Sequence, residues 1–579
     1  MTSPTIQPAE APRYPDLDRA LGELQAKKDA WARTTNTERV AMLDRIKDGV
    51  MGVAETWAKT AAREKQIPDG SPLVGEEWIS GPYAVISTCN LLMDTLSQMD
   101  GLRYLDKVPL RELANGQLAA KVAPHSIWES LLLSGVEAEI WMEPGVTREN
   151  LAQHTASGYD DPSALRDGKV ALVLGAGNIA AIAPLDCFQK LFAENQVVLL
   201  KMNPVNDYLT PFLEAALRPL IDFGALRIVG GGGDVGAYLC EHADVEEIHI
   251  TGAESTHDAI VWGVGEEARK NRAAETPRNP RRVTSELGGV CPTIVVPGPW
   301  NAADLTFQAE QIATQKLHNS GFNCIACQVL ILPADWARTD ALLDQLEAVM
   351  RDAPPRDLYY PGAADRMADF AEHGGDVVSF ERGGAPACVV AHLDGEDPWM
   401  ESNEVFAPAL STIRLPSASA AGYLREAVRY ANERLRGTLG ANILIHPDTI
   451  KEMGEATFEA IVAELRYGCI AINAWTGLGF LMAQCTWGAF PGHTAADAQS
   501  GVGVVHNTLL FDKPERTVVK APFRPFPRTV LSGGLTMLPR PPWFITNKKQ
   551  DKVGERLTRF QHRPGWSKLP GVFFYALQG

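Results

Sequence analysis

HNSGFNCIACQV, His318–Val329, places two cysteines three residues apart, and thiols at that spacing serve redox exchange, metal binding or nucleophilic catalysis through one member. A redox pair opens a helix, whose N-terminus lowers the thiol pKa, yet Cys324 and Cys327 follow a predicted helix and lead into the predicted strand QVLILP. A zinc site needs about four ligands, and no second C-x-x-C supplies them, so no metal is expected. Core thiol and nucleophile stay open.

Glu286, in TSELGG before the strand CPTIVV, is the right type for a general base beside closely packed backbone, although a Glu taken alone is far more often a solvated loop carboxylate. LGAGNIA follows a strand and has G-x-G-x-x-A at Gly175, Gly177 and Ala180. A dinucleotide fingerprint would end its next strand on an acid that binds ribose, whereas this one ends on Lys201. A tight strand-to-helix turn is the simpler reading of the glycines.

The elements that must position these groups alternate. VALVLG, VVLLK, LRIVGG and IHITG read as strands separated by helical stretches, and a second cycle runs through TIVV, a helix from about Leu305 to His318, and QVLILP. Strand and helix in alternation imply two α/β domains with doubly wound parallel sheets. Ahead of them, LDRALGELQAKKDAWA and TERVAMLDRIKDGVMGVAETWAKTAAREK space apolar residues as helices do. SGVEAEIWMEPG reads as a β-ribbon, and the Pro-rich tail Pro514–Pro570 as an irregular extension.

A chain of 579 residues is too long for one core. Its 54 basic against 71 acidic residues, formally −17, leave no electrostatic footprint for nucleic acid. Nine scattered cysteines and no signal-like segment after Met1 lead to a cytoplasmic expectation, and no apolar run is long enough to predict a membrane span.

Taken in order, GAGNIAAIAP, VVLLKMNP, VEEIHITGAES, ELGG, NSGFNC, NEVFAPAL and AINAW resemble successive motifs of the aldehyde dehydrogenase superfamily, from about Leu21 to Gly503. The resemblance implies an aldehyde-dehydrogenase-like fold, with residues 1–130 the N-terminal helical part of the cofactor domain and 131–165 an oligomerisation ribbon. It assigns 166–283 to nucleotide binding and 284–503 to catalysis, and leaves 504–579 as a C-terminal extension. It makes Cys324 the nucleophile, Glu286 the base and Asn178 the oxyanion-stabilising amide. NAD or NADP would be held by Lys201, Gly232, Gly236, Gly252, Ala253, Glu404 and Phe406. The implied reaction oxidises an aldehyde to its acid through a thiohemiacetal and a thioester on Cys324, in a homodimer or homotetramer. A CoA-acylating enzyme and an inactive scaffold are the alternatives.

Several positions depart from the family pattern. Phe322 replaces the glutamine before the nucleophile, His257 a glycine of the pyrophosphate turn, and Ala407 the glycine of E-x-F-G-P. Pro204 stands where NAD-preferring relatives often carry an acid, so NADP is expected to be accepted. An Arg- and Pro-rich insertion, ARKNRAAETPRNPRR, precedes ELGG. Trp475, Phe480, Trp487 and Phe490 fall near the family's substrate entrance and imply apolar or aromatic aldehydes.

Overall fold

The computed structural model describes residues 14–160, 167–382, 385–416, 418–532 and 536–579. The outermost parts of two expected segments, 1–13 and 161–166, lie outside them.

Pro15–Gln25 and Asn36–Glu64 form the expected entry helices. The second begins on a reciprocal cap: the Thr35 hydroxyl accepts from the Glu38 amide, and the Glu38 carboxylate accepts from the Thr35 amide. Its buried stripe, including Leu43, Ile46, Val50 and Trp57, lies on one face and packs into the largest core cluster.

That core surrounds a six-stranded sheet in the order 501–502, 282–287, 247–252, 170–174, 197–201, 226–229. All neighbours are parallel except Gly501–Val502, which runs antiparallel against Ser285 and Glu286. The strands Val170–Leu174 and Val197–Lys201 are covered by helices on both faces, which is why they read as unbroken apolar runs.

A second sheet has eleven strands, ordered 110–112, 118–123, 137–142, 514–520, 469–472, 440–444, 291–295, 327–333, 409–415, 385–393, 376–382. Its central strands are parallel, and the expected ribbon strand, Glu137–Met142, pairs antiparallel with both Leu118–Ala123 and Pro514–Lys520. Pro514–Lys520 in turn pairs with Cys469–Ile472 of the same chain.

The tail corrects the expectation of an irregular extension. PERTVVK is a strand because its β-branched residues suit a buried pleated surface. QDKVGERLTRFQH is a helix, Gln550–His562, with Val553, Leu557 and Phe560 spaced along one face. A last helix spans Leu569–Ala576. Pro514 opens the strand, Pro570 lies in the first turn of the last helix, and the other prolines sit between these elements, where a missing N–H costs little.

Candidate active site

The thiol of Cys324 is positioned by a strained turn. After the helix Ala302–Leu317, Asn319, Ser320 and Gly321 are all left-handed, with φ of 53°, 54° and 78°. Only glycine fits the third position, since a Cβ there would stand 2.7 Å from the backbone of Ala407 and Pro408. The turn is held by buried polar groups: the Asn319 amide donates to Glu76 at 3.1 Å, and Glu76 is ion-paired to Arg356.

Cys324 donates its S–H to Glu286 Oε1 at 2.9 Å. Glu286 is buried on the strand Arg282–Leu287, and its other oxygen accepts from the Trp487 indole at 2.9 Å. Burial, followed by the adjacent carboxylate, pushes the Cys324 thiol well above its ordinary range, so it rests protonated. Burial likewise raises Glu286.

Cys327 lies in the strand Cys327–Pro333, fully buried among Leu330, Leu332 and other apolar side chains, with burial pushing its thiol up to about 11. All nine cysteines are free. The described residues contain no cluster suited to a metal.

The Asn178 amide donates one N–H to the Phe322 carbonyl at 2.9 Å, which ties the GAGNIA turn to the residue two places before the thiol. Asn319 grips the same two residues, donating to the carbonyls of Asn178 at 3.2 Å and Phe322 at 3.0 Å. Tyr359 donates to Asn319 Oδ1 at 2.9 Å. Phe322, the departure from glutamine, is buried in an aromatic cluster with Tyr359, Tyr360 and Phe406.

From the thiol, a crevice of about 930 Å³ runs along the carboxyl ends of the six-stranded sheet. Its lining brings together Asn178, Lys201, Gly236, Gly252, Ala253, Glu286, Cys324, Glu404 and Phe406. Gly232 is the N-cap of the helix Gly233–Glu241, next to the lining residue Gly233.

The residues present fit a dinucleotide. Two helices, Gly233–Glu241 and Glu254–Trp262, start at the crevice without a side-chain cap, so their first N–H groups suit a pyrophosphate. A Cβ built at Gly233 or Gly236 meets nothing within 4 Å, so the backbone there is open to close approach. Glu404 is half-buried beside the Gly289 backbone N–H, and desolvation raises its carboxyl to about 8; ribose hydroxyls are further donors such a group can accept from. Gly288 makes room for it, because a Cβ there would stand 2.1 Å from the carboxylate. Lys201 is buried, which lowers its ammonium pKa. His257 does not obstruct the crevice: its side chain is fully buried, and its neighbour Thr256 contributes to the lining. The Arg-rich insertion has a structural task as well, since Arg281 donates to the carbonyls of Cys240, His242 and Val245 and thereby caps the helix Gly233–Glu241.

Sequence reading missed a polar network beside Glu286. Thr251 is the strand partner of Glu286, so their side chains share one face of the sheet. Thr251 donates to Asp186 at 2.9 Å, His506 Nε2 lies 3.1 Å from the other Asp186 oxygen, and His249 is 3.5 Å away. These two histidines hold Asp186 down to about 2 in spite of its burial. No motif flags them, because the strand Glu247–Gly252 supplies His249 and Thr251 while Asp186 and His506 come from elements far along the chain.

The aromatic segment divides. Trp475 packs at a tilt against His318, and Phe480 packs on Ile179, Ile182 and Trp487 near the thiol. Phe490 instead lies under the Arg516 guanidinium at 4.8 Å.

Comparison with known proteins finds partial sequence matches and a shared fold. The sequence model of the Aldehyde dehydrogenase family matches residues 182–358. An aldehyde dehydrogenase from Fusarium is 27% identical over 174 residues, 29% of this chain and 34% of that protein. Acetaldehyde dehydrogenase 2 from Cupriavidus necator is 23% identical over 528 residues, covering 87% of this chain and 86% of its own length. Matches to the Fusarium protein and to relatives from Arabidopsis thaliana and Caulobacter vibrioides span 34%, 38% and 50% of those proteins' lengths. Among solved structures, gamma-glutamyl-gamma-aminobutyraldehyde dehydrogenase from Burkholderia cenocepacia shares the fold, with a TM-score of 0.59 at 19% identity over 87% of this chain and 88% of that one. The segment similar to the aldehyde dehydrogenase family model runs from the helix after Asn178 through Glu286 and Cys324, and the fold is shared with solved aldehyde dehydrogenases over most of the chain.

Proposed function

We propose that the protein oxidises an aldehyde to its carboxylic acid with NAD or NADP, using Cys324, Glu286 and Asn178. The observation that carries this reading is the 2.9 Å hydrogen bond from the Cys324 thiol to Glu286 at the end of the glycine-lined crevice.

The thiol rests protonated, so its attack on an aldehyde carbonyl must be coupled to proton transfer, and Glu286 Oε1 is already the acceptor. The new C–S bond places charge on the former carbonyl oxygen. The second N–H of the Asn178 amide and the backbone N–H of Cys324 are the donors proposed to stabilise it. Trp487 keeps the Glu286 carboxylate from rotating by holding its second oxygen. A nicotinamide dinucleotide, when bound, supplies the hydride acceptor, and the acyl thioester then left on Cys324 is the group that must be hydrolysed. Glu286, having shed its first proton, takes a second from water, and the carboxylic acid leaves as the thiol is restored.

Lys201, Gly232, Gly236, Gly252, Ala253, Glu404 and Phe406 are proposed to hold the dinucleotide: glycine backbone and helix starts at the pyrophosphate, Lys201 at the adenine ribose, Glu404 at the nicotinamide ribose. Lys201 and Arg278 both line the crevice, which supports acceptance of an added 2′-phosphate. Phe480 and the isoleucines it packs on favour apolar or aromatic aldehydes. The division into 1–130, 131–165, 166–283, 284–503 and 504–579 is retained as the proposed domain scheme, with assembly through the ribbon.

The test is an aldehyde panel run with each nucleotide, following reduced nicotinamide and the acyl product. Turnover to free acid with NADP at least comparable to NAD is expected. Acyl-CoA formed on adding CoA would replace hydrolysis by acyl transfer, and silence across the panel would favour a scaffold.

A further inference from the structure

A second cavity, of about 420 Å³, shares no lining residue with the thiol crevice. One wall is a single stripe of the helical segment from Ile79 to Ser97: Ile79, Tyr83, Ser87, Asn90, Leu91 and Asp94 recur at helical spacing. From Tyr83 to Asp94 the stripe spans eleven residues of regular helix, about 16 Å, and Ile79 extends it beyond a kink at Gly81. The volume is therefore spread as a slot.

The slot has a polarity axis. Its inner end, at Ile79 and Leu478, abuts the catalytic turn: the Ala181 amide donates to the Ser80 carbonyl at 3.0 Å, and Trp475, three residues before Leu478, reaches the carbonyl of Ile325. Its outer end carries Asp94, paired with His125 at 3.2 Å, and Lys107. Between them the walls are mainly apolar, and the roof comes from the C-terminal segment through Leu538, Trp543, Val553, Leu557 and Val572.

This roof is built into the fold. The helix Gln550–His562 lies so close to Val74–Trp78 that a Cβ on Gly75 would meet the backbone of Gln550 at 2.3 Å. Trp128 on the opposite wall packs against Phe560 and Trp566 with ring centroids 5.4 and 4.6 Å apart. Around the same elements, Ile127, Trp566, Phe574 and Leu577 are 59% to 63% exposed. Large apolar side chains left in water beside an apolar chamber mark an entry surface for an apolar ligand.

We propose that this chamber binds the unbranched alkyl chain of an amphiphile, whose polar head stays at the rim beside Lys107 and the Asp94–His125 pair. The inference goes beyond the proposed reaction and does not depend on it. Each methylene taken from water into the slot contributes about 0.8 kcal/mol, roughly a fourfold gain in affinity.

The experiment uses the full chain without nucleotide or aldehyde. Titration with 10-bromodecan-1-ol should quench tryptophan fluorescence saturably, because Trp128 and Trp543 line the slot, and Trp128→Phe should shrink the quench. Unbranched alcohols from butanol to decanol should displace the probe, with dissociation constants falling about fourfold per methylene. A Leu557→Phe/Ala576→Phe variant, which fills the slot, should weaken the probe more than tenfold while still melting cooperatively. Quenching that never saturates, displacement that ignores chain length, or a filled variant that melts like the parent and still binds would each overturn the proposal. If that variant loses cooperative melting, the chain-length series on the parent decides.

Discussion

The turn His318–Cys324 and the strand Cys327–Pro333 follow one another in the chain, and each carries a thiol. In the turn, left-handed backbone and a glycine pressed against Ala407 bring the sulfur to the crevice, where a carboxylate accepts its proton. In the strand, the sulfur points into a cluster of Leu330, Leu332 and Val295, with no carboxylate beside it. Both thiols are raised by burial, so a depressed pKa distinguishes neither. The difference is a carboxylate within hydrogen-bond distance, and the proposed reactivity of Cys324 rests on that partner.

The largest effect should separate the two sulfurs. Cys324→Ala is expected to bring aldehyde-dependent nicotinamide reduction to background, because no thiohemiacetal can form. Steady-state turnover measures this, and appreciable activity in Cys324→Ala would end the nucleophile assignment.

Removing the base should make Cys324 resemble Cys327. Glu286→Gln is expected to lower kcat/KM by ~10²–10⁴, because the resting hydrogen bond makes Glu286 the acceptor for thiol activation as well as for hydrolysis. A rapid burst at the parent rate followed by slow turnover would restrict Glu286 to hydrolysis. The parent's kcat/KM should climb with pH through a step above the ordinary carboxylate range, since Glu286 must be ionised to accept and burial raises it. That step should vanish in Glu286→Gln.

Asn178→Ala tests the turn from the other side. It removes an oxyanion donor and the tie to the Phe322 carbonyl, and is expected to cost ~10²–10³ in kcat. A loss confined to KM would place Asn178 in substrate binding alone.

The smallest effect is expected at Cys327→Ser, which should keep most of the activity while lowering stability by about 1–3 kcal/mol, as a hydroxyl enters an apolar layer. Denaturant melts give the second number. A loss of activity equal to that of Cys324→Ala would revive a role for the pair.

How much was legible differs between the same regions. The strand is written in QVLILP, since a run of branched apolar residues has few other fates, and the parallel sheets follow from strands and helices in alternation. Residue types at the site were legible too, in ELGG, NSGFNC and GAGNIA. The tail misled, because its prolines outweighed the β-branched run PERTVVK and the helical spacing of Val553, Leu557 and Phe560.

What the sequence by itself determined is which side chains are available and which local shapes they take: apolar runs make strands, a glycine permits the left-handed turn, and Cys, Glu and Asn bring a thiol, a carboxylate and an amide. Only the tertiary structure decided which of them meet. Glu286 reaches Cys324 across 38 positions of chain, and Trp487 reaches Glu286 across 201. Asp186 stands among His249, Thr251 and His506, and the C-terminal helices close the roof of a slot begun at Ile79. Contacts of that separation form only when sheets and helices pack together, because hydrophobic burial is non-directional and local periodicity carries no record of the partner.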